Sequence, residues 1–151
     1  MSAAAPPAAP IVLAHLVAVL YTTGFVWTLQ LMDYPMVAAL PDEASTAYMN
    51  LHNQMFWRVL APGLLVGAVT TLLLLVLRPG TVPLWAPVLA LILLVLVLVL
   101  SGAVATPDRM ELARHFSETT HAHLISVSWV RTSAFTAWSA LATWMTWRLI
   151  R

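Results

Sequence analysis

Cysteine and lysine are both absent from the 151-residue chain, and charged residues of any kind make up only 9% of it. Without cysteine there is no disulfide, no thiolate metal ligand and no cysteine nucleophile, and the redox character of the surrounding compartment leaves no trace in the sequence. Without lysine, all seven basic residues are arginine, and a formal net charge of +1 provides no basic field for a phosphate backbone. A nucleic-acid partner is therefore excluded. No HExxH, EF-hand or facial-triad spacing occurs, and no internal repeat is visible.

What the chain has instead is apolar surface. Hydrophobic residues make up 61% and the mean hydropathy is +0.87, more than a soluble domain of this length can bury. Four apolar stretches, at residues 11–32, 57–77, 84–104 and 124–147, are each roughly 20 residues long, enough for ~30 Å of hydrocarbon at ~1.5 Å per residue. The second is closed by Arg78, Pro79 and Gly80, a helix-stop sequence. The third has no polar side chain over residues 89–100, so none of its faces must avoid lipid or another subunit. The fourth ends on Trp144 and Trp147 ahead of Arg148 and Arg151, an interfacial anchor pattern. Residues 1–10 are rich in Ala and Pro and lack the basic n-region of a signal peptide, so they read as a flexible leader to a single membrane domain over 11–151. Between stretches three and four, Met110, Ala113 and Phe116 recur at helical spacing behind Pro107, which predicts a short interfacial helix. The expected fold is all-α, a four-transmembrane-helix bundle with that short interfacial helix between helices three and four.

Four crossings put both termini and the Arg78 turn on one side, and the 33–57 and 105–123 connections on the other. Every acidic residue falls on the second side, while the arginines tie at three each, Arg78, Arg148 and Arg151 against Arg58, Arg109 and Arg114. The termini-side arginines lie in shorter segments near helix ends, which favours both termini in the cytoplasm of a bacterial inner membrane. The same count gathers the reactive side chains at the opposite, outer end: Gln30, Asp33 and Tyr34 close helix one, His52, Asn53 and Arg58 open helix two, and His121, His123 and Arg131 open helix four. His15 alone lies near the other surface. Polar groups at helix ends are commonly interfacial, but Arg131 sits roughly 8–14 Å beyond the entrance of its helix and needs an internal partner, since a buried Arg costs about 2.5–3.5 kcal/mol on insertion scales. Asp33 is the first candidate partner and Glu118 the second.

A metal would draw on His52, His121, His123 and Asp33, donors suited to iron, zinc or copper. His121 and His123 diverge by about 200° on a helix, so both would ligate only if the helix had not yet started there. A haem would use one His from each of two helices, such as His52 and His121, and a quinone would use His52 with Tyr34 and Arg131 as hydrogen-bond donors. The plain alternative for the outer histidines is hydrogen bonding to loop backbone. On helix four, Ser128, Thr132, Thr136, Ser139 and Thr143 share a face, and Gly63 and Gly67 make a small-xxx-small step on helix two, which predicts that helices two and four pack together. Trp129 and Trp138 line a pocket or fill the interior.

A wider pattern runs from Gln30 to about Trp138. Gln30 precedes Tyr34 and Pro35; Tyr48 and His52 precede Arg58 and Pro62; Trp129, Arg131 and Thr132 stand together in helix four. In this the chain resembles an uncharacterised family of small four-helix bacterial integral membrane proteins, loosely similar to the anthrone-oxygenase-like group. The resemblance implies the same fold and supports Gln30, Tyr34, His52, Arg58, Trp129 and Arg131, which together with His121 from the same membrane end are the cofactor-binding candidates. It departs at Ser128, where the family has Asn, and at Met49, where the family often has a second His, which speaks against a paired-His metal site.

Two functions follow as expectations. The first is a non-catalytic integral membrane subunit or accessory protein of a larger membrane complex, packing its featureless third helix against other subunits or a second copy, with Arg131 and Asp33 as an internal brace. The alternative is a membrane oxidoreductase that binds a metal, haem or quinone and acts on a lipophilic substrate. There His52 or His121 would serve as ligand or base, Arg131 would stabilise developing negative charge and Tyr34 would donate a proton.

Overall fold

The computed structural model describes residues 8–151, and among them every regular element is helical. Four long helices account for the chain: α1 (Ala8–Ala38), α2 (Asp42–Leu77), α3 (Trp85–Leu112) and α4 (Glu118–Ile150). Residues 1–7 of the expected leader lie outside the described residues, and Ala8, Ala9 and Pro10 already belong to α1. The first three helices are long and apolar enough to cross a membrane. The fourth is long enough but interrupted by Arg131 and by the serines and threonines of its buried side.

Each helix outruns its apolar stretch on the polar side. At ~1.5 Å per residue, the 36 residues of α2 extend about 54 Å, well beyond a ~30 Å hydrocarbon core. Residues 42–56, expected as a connection, are its first four turns. Asp42 and Glu43 occupy the first turn, where acidic groups favour the helix dipole. Ser45 Oγ donates to the Val37 carbonyl at 2.6 Å and ties this start to the end of α1.

A proline lies within the last two turns of each of α1 and α3. Pro35 in α1 and Pro107 in α3 each follow a π-helical turn, at Leu29–Asp33 and Leu100–Ala105. A proline cannot donate to the preceding turn and clashes with it, and one wider turn absorbs that mismatch without breaking the axis. The Thr106 hydroxyl donates to the Ser101 carbonyl at 2.7 Å within the second such turn. The separate interfacial helix expected around residues 108–118 is therefore corrected. Its first half is the end of α3, the chain reverses at residues 113–117, and Ser117 caps α4 by accepting from the Thr120 N–H at 3.3 Å.

Helix α1 packs against α2 and α4, and α3 packs against the same two. Among the described residues, no backbone contact within 8 Å joins α2 to α4, so the predicted pairing of those helices is corrected to a diagonal. The small residues serve other neighbours. Gly63 admits the ring of Tyr21 from α1, and Gly67 admits the edge of Trp138, which reaches across from α4. The polar face of α4 instead meets α1: Thr23 Oγ1 lies 2.7 Å from Ser139 Oγ and donates to the Phe135 carbonyl at 3.1 Å, while Trp27 Nε1 donates to Thr136 Oγ1 at 3.0 Å. In the middle of this packing His15 is fully buried, with Nδ1 3.0 Å from Thr70 Oγ1 and its ring edge-on to Trp138.

Candidate functional site

Near the end of α1, two adjacent side chains point toward different helices. Asp33 faces α2, where Tyr48 and His52 stand one turn apart. The Tyr48 hydroxyl donates to Asp33 Oδ1, and His52 Nδ1 lies 2.7 Å from Asp33 Oδ2. The approach is close rather than an aligned hydrogen bond, since no donor points at Asp33 Oδ2, and the charge of the carboxylate favours the tautomer with the proton on Nδ1, leaving the lone pair on Nε2. That Nε2 is buried and has no protein partner. Phe56 continues the stripe by one more turn, its ring 5.6 Å from that of His52.

Beside this trio lies a cavity of about 260 Å³ between α1 and α2. Asp33, Tyr48, His52 and Thr28 are its polar part, and Phe25, Leu29 and Phe56 are apolar walls. Leu51 and Met55 form a half-exposed rim, so the cavity opens sideways, across the outer face of the helix pair rather than along the axis. Farther along the same seam is an apolar groove of about 550 Å³ over Leu13, Val17, Pro62 and Val66. Tyr21 stands between the two, lining the groove and donating from its hydroxyl to the carbonyl of Val59, a residue that lines the cavity.

Tyr34 faces the other way and is fully buried. Its hydroxyl accepts a hydrogen bond from Arg131 Nη2 at 3.1 Å, and Ser128 Oγ accepts another from the same nitrogen at 3.1 Å. The expected partnership of Arg131 with Asp33 or Glu118 is thus corrected. Asp33 is engaged by His52 and Tyr48, Glu118 is exposed in the first turn of α4, and among the described residues no arginine has a carboxylate oxygen within 4.0 Å. The reason is angular: Asp33 and Tyr34 are consecutive on one helix, and only Tyr34 points toward α4.

The other sequence candidates divide among several places. His121 is buried, its Nε2 2.8 Å from the Tyr34 carbonyl and its ring 5.8 Å from Phe116. His123, two residues on within the same helix, is exposed and pairs with Asp108 at 2.8 Å. Because α4 has already started at Glu118, the two histidines diverge as helical geometry requires. Gln30 is buried with its Oε1 unpartnered. Arg58 is exposed on α2, and Trp129 is half exposed, edge-on to Trp27 at 5.9 Å; neither reaches the Asp33–His52 pair. His52, His121, His123 and Asp33 do not gather: among the described residues no three His, Cys, Asp or Glu side chains come together as a metal set. The donors for a metal site of three or more such side chains are not assembled among the described residues.

Two participants were not among the candidate site residues, although Tyr48 stood in the wider sequence pattern. Tyr48 belongs to the Asp33 cluster, signalled by its four-residue step to His52. Arg109 is 2% exposed, with its guanidinium carbon 3.8 Å above the centroid of the Phe56 ring and its carbonyl accepting from Asn53 Nδ2 at 3.0 Å. Ser101, Ala105 and Arg109 fall four residues apart and are all buried, a register that carries the inner face of α3 past its last apolar residue. Comparison of the chain with protein-family models, curated proteins and solved structures finds no match, and the functional argument rests on this geometry.

Proposed function

We propose that all four helices cross the bacterial inner membrane as a four-transmembrane-helix bundle with both termini cytoplasmic. The chain then binds a lipophilic molecule with a hydrogen-bonding head, of the quinone or phenol class, in the lateral cavity. The observation that carries this reading is the Asp33–His52–Tyr48 cluster beside a sideways-opening, otherwise apolar cavity. A carboxylate-oriented imidazole with a free Nε2 is equipped to take a proton from a phenolic head and, once protonated, to donate from Nε2 to a quinone oxygen. The neighbouring groove along α1 and α2 suits an apolar tail, since a molecule lodged in a membrane enters from the side. Arg148 and Arg151 stack on Trp144 and Trp147, as interfacial anchors do. Burial of Arg109 supports the orientation, because it leaves Arg58 and Arg114 exposed on the acidic side against Arg78, Arg148 and Arg151 on the other.

The test is binding of a tailed benzoquinone to purified protein, followed by quenching of tryptophan fluorescence. Trp57 adjoins Phe56 in the cavity wall at 5.1 Å between ring centroids. Saturable quenching that weakens at least tenfold in Asp33→Asn and His52→Ala supports the reading; equal binding by wild type and both variants contradicts it.

The accessory-subunit reading is favoured by one observation, the exposure of Ile92, Val95 and Val99 along α3. That surface equally suits lipid, and the subunit role gives no account of the Asp33–His52 pair. Co-purification of a stoichiometric membrane partner under mild detergent would favour it, and a lone monodisperse protein would count against it.

A further inference from the structure

Arg109 on α3 and Arg131 on α4 are 2% and 1% exposed, respectively. Each uses one nitrogen. Arg109 Nη2 donates to Thr106 Oγ1 at 2.8 Å, and Arg131 Nη2 serves Tyr34 and Ser128. The Nε and Nη1 atoms of both are shut off from solvent and without a partner. Tyr34, bonded to Arg131, has its ring 6.0 Å from that of His52, and Phe56, 5.6 Å beyond, carries the Arg109 guanidinium on its face, so both arginines lie around the same layer of the bundle.

The nearby titratable groups are spoken for. Asp33 holds His52 and Tyr48, Asp108 holds His123, and His121 faces the Tyr34 carbonyl. A buried guanidinium stripped of water and left without a counter-charge costs several kcal/mol, and two of them in one layer cost more. Well-packed hydrophobic residues would serve the fold better. Planar guanidiniums with free N–H groups are instead suited to the oxygens of a carboxylate or phosphate, which they bind through short charge-assisted hydrogen bonds.

We propose that Arg109 and Arg131, with the hydroxyls of Tyr34 and Ser128, form a binding site for an oxyanion, a carboxylate or phosphate group, carried on a lipid or free in solution. The site is distinct from the lateral cavity, and the inference does not depend on what that cavity binds.

The experiment is thermal unfolding of the full-length protein, delipidated in an uncharged detergent and held at constant ionic strength with chloride. One arm adds inorganic phosphate or acetate; the other compares nanodiscs of phosphatidylcholine alone with nanodiscs containing phosphatidic acid. A saturable rise in Tm of several degrees in either arm, lost in Arg109→Met and in Arg131→Met, supports the site. A rise in the first arm identifies a free anion, and a rise in the second alone identifies a headgroup. Arg131→Lys keeps the charge without the planar donors and is expected to retain a weaker rise, which tests the site should the methionine variants fail to fold. No rise in either arm, or the same rise in the folded variants as in wild type, overturns the proposal.

Discussion

The hydroxyl of Tyr34 accepts a hydrogen bond from Arg131 at 3.1 Å while the carbonyl of the same tyrosine lies 2.8 Å from His121 Nε2. One residue near the end of α1 thereby fastens two points about three turns apart on the inner face of α4. The preceding residue, Asp33, makes the equivalent connection to α2. Consecutive residues on a helix point about 100° apart, which lets these neighbours serve different helices at the same depth.

The Asp33–His52 pair should matter to binding more than its surface neighbours do. Removing a charged hydrogen-bond partner from a buried group costs about 1.5–3 kcal/mol, so Asp33→Asn is expected to weaken a bound lipophile by roughly ten- to a hundredfold. Arg58→Gln, on the exposed face of α2, is expected to change affinity less than twofold. Fluorescence titration of the two variants with the same tailed benzoquinone checks this.

Gly67 is a packing position and Gly24 is not. A Cβ at Gly67 would lie 3.0 Å from Trp138 Cη2, whereas one at Gly24 would meet nothing within 4 Å. Gly67→Ala is expected to destabilise by about 1–3 kcal/mol through overpacking. Gly24→Ala should be neutral or stabilising by up to ~1 kcal/mol, since glycine is a poor helix former. Denaturant or thermal unfolding in detergent separates the two.

The contact between α1 and α4 rests on side-chain hydrogen bonds at Thr23 and Ser139. A double-mutant cycle of Thr23→Val with Ser139→Ala is expected to give a coupling of about 0.6 kcal/mol, the average for such bonds inside membranes, and no more than the ~1.7 kcal/mol maximum. The corresponding cycle between Thr71 on α2 and Ser139 should give none, because α2 and α4 stand on the diagonal.

The number of long helices was legible from the apolar runs, because twenty apolar residues in succession leave few alternatives. Their ends were not. Residues 42–56 are polar enough to read as a loop, but Ser45, Met49 and Phe56 are buried along one side and make the segment an amphipathic continuation of α2. The ends expected at residues 32 and 104 followed from where the apolar runs stop, and hydropathy does not register a π-turn that carries α1 past Pro35 and α3 past Pro107. The gathering of polar groups at one end followed from the alternation of helix direction and named Asp33, Tyr34, His52, His121 and Arg131. Who pairs with whom did not follow, because that depends on helix rotation: Asp33 was assigned to Arg131 and belongs to His52. Arg109 was passed over because Thr106 and Pro107 suggested that α3 had ended, although its four-residue step from Ala105 continues the buried face.

The account stands on four passes through lipid, with the 38–42 and 112–118 connections on one side and the 78–84 turn on the other. The absence of cysteine makes this directly measurable. Single variants Asp42→Cys, Arg114→Cys and Gly80→Cys, each at an exposed position, can be labelled with a membrane-impermeant maleimide in intact spheroplasts and in inverted vesicles. The predicted result is labelling of positions 42 and 114 from the outside only and of position 80 from the inside only. Positions 42 and 114 reacting from opposite faces would contradict the arrangement and remove the shared end at which the proposed sites are built.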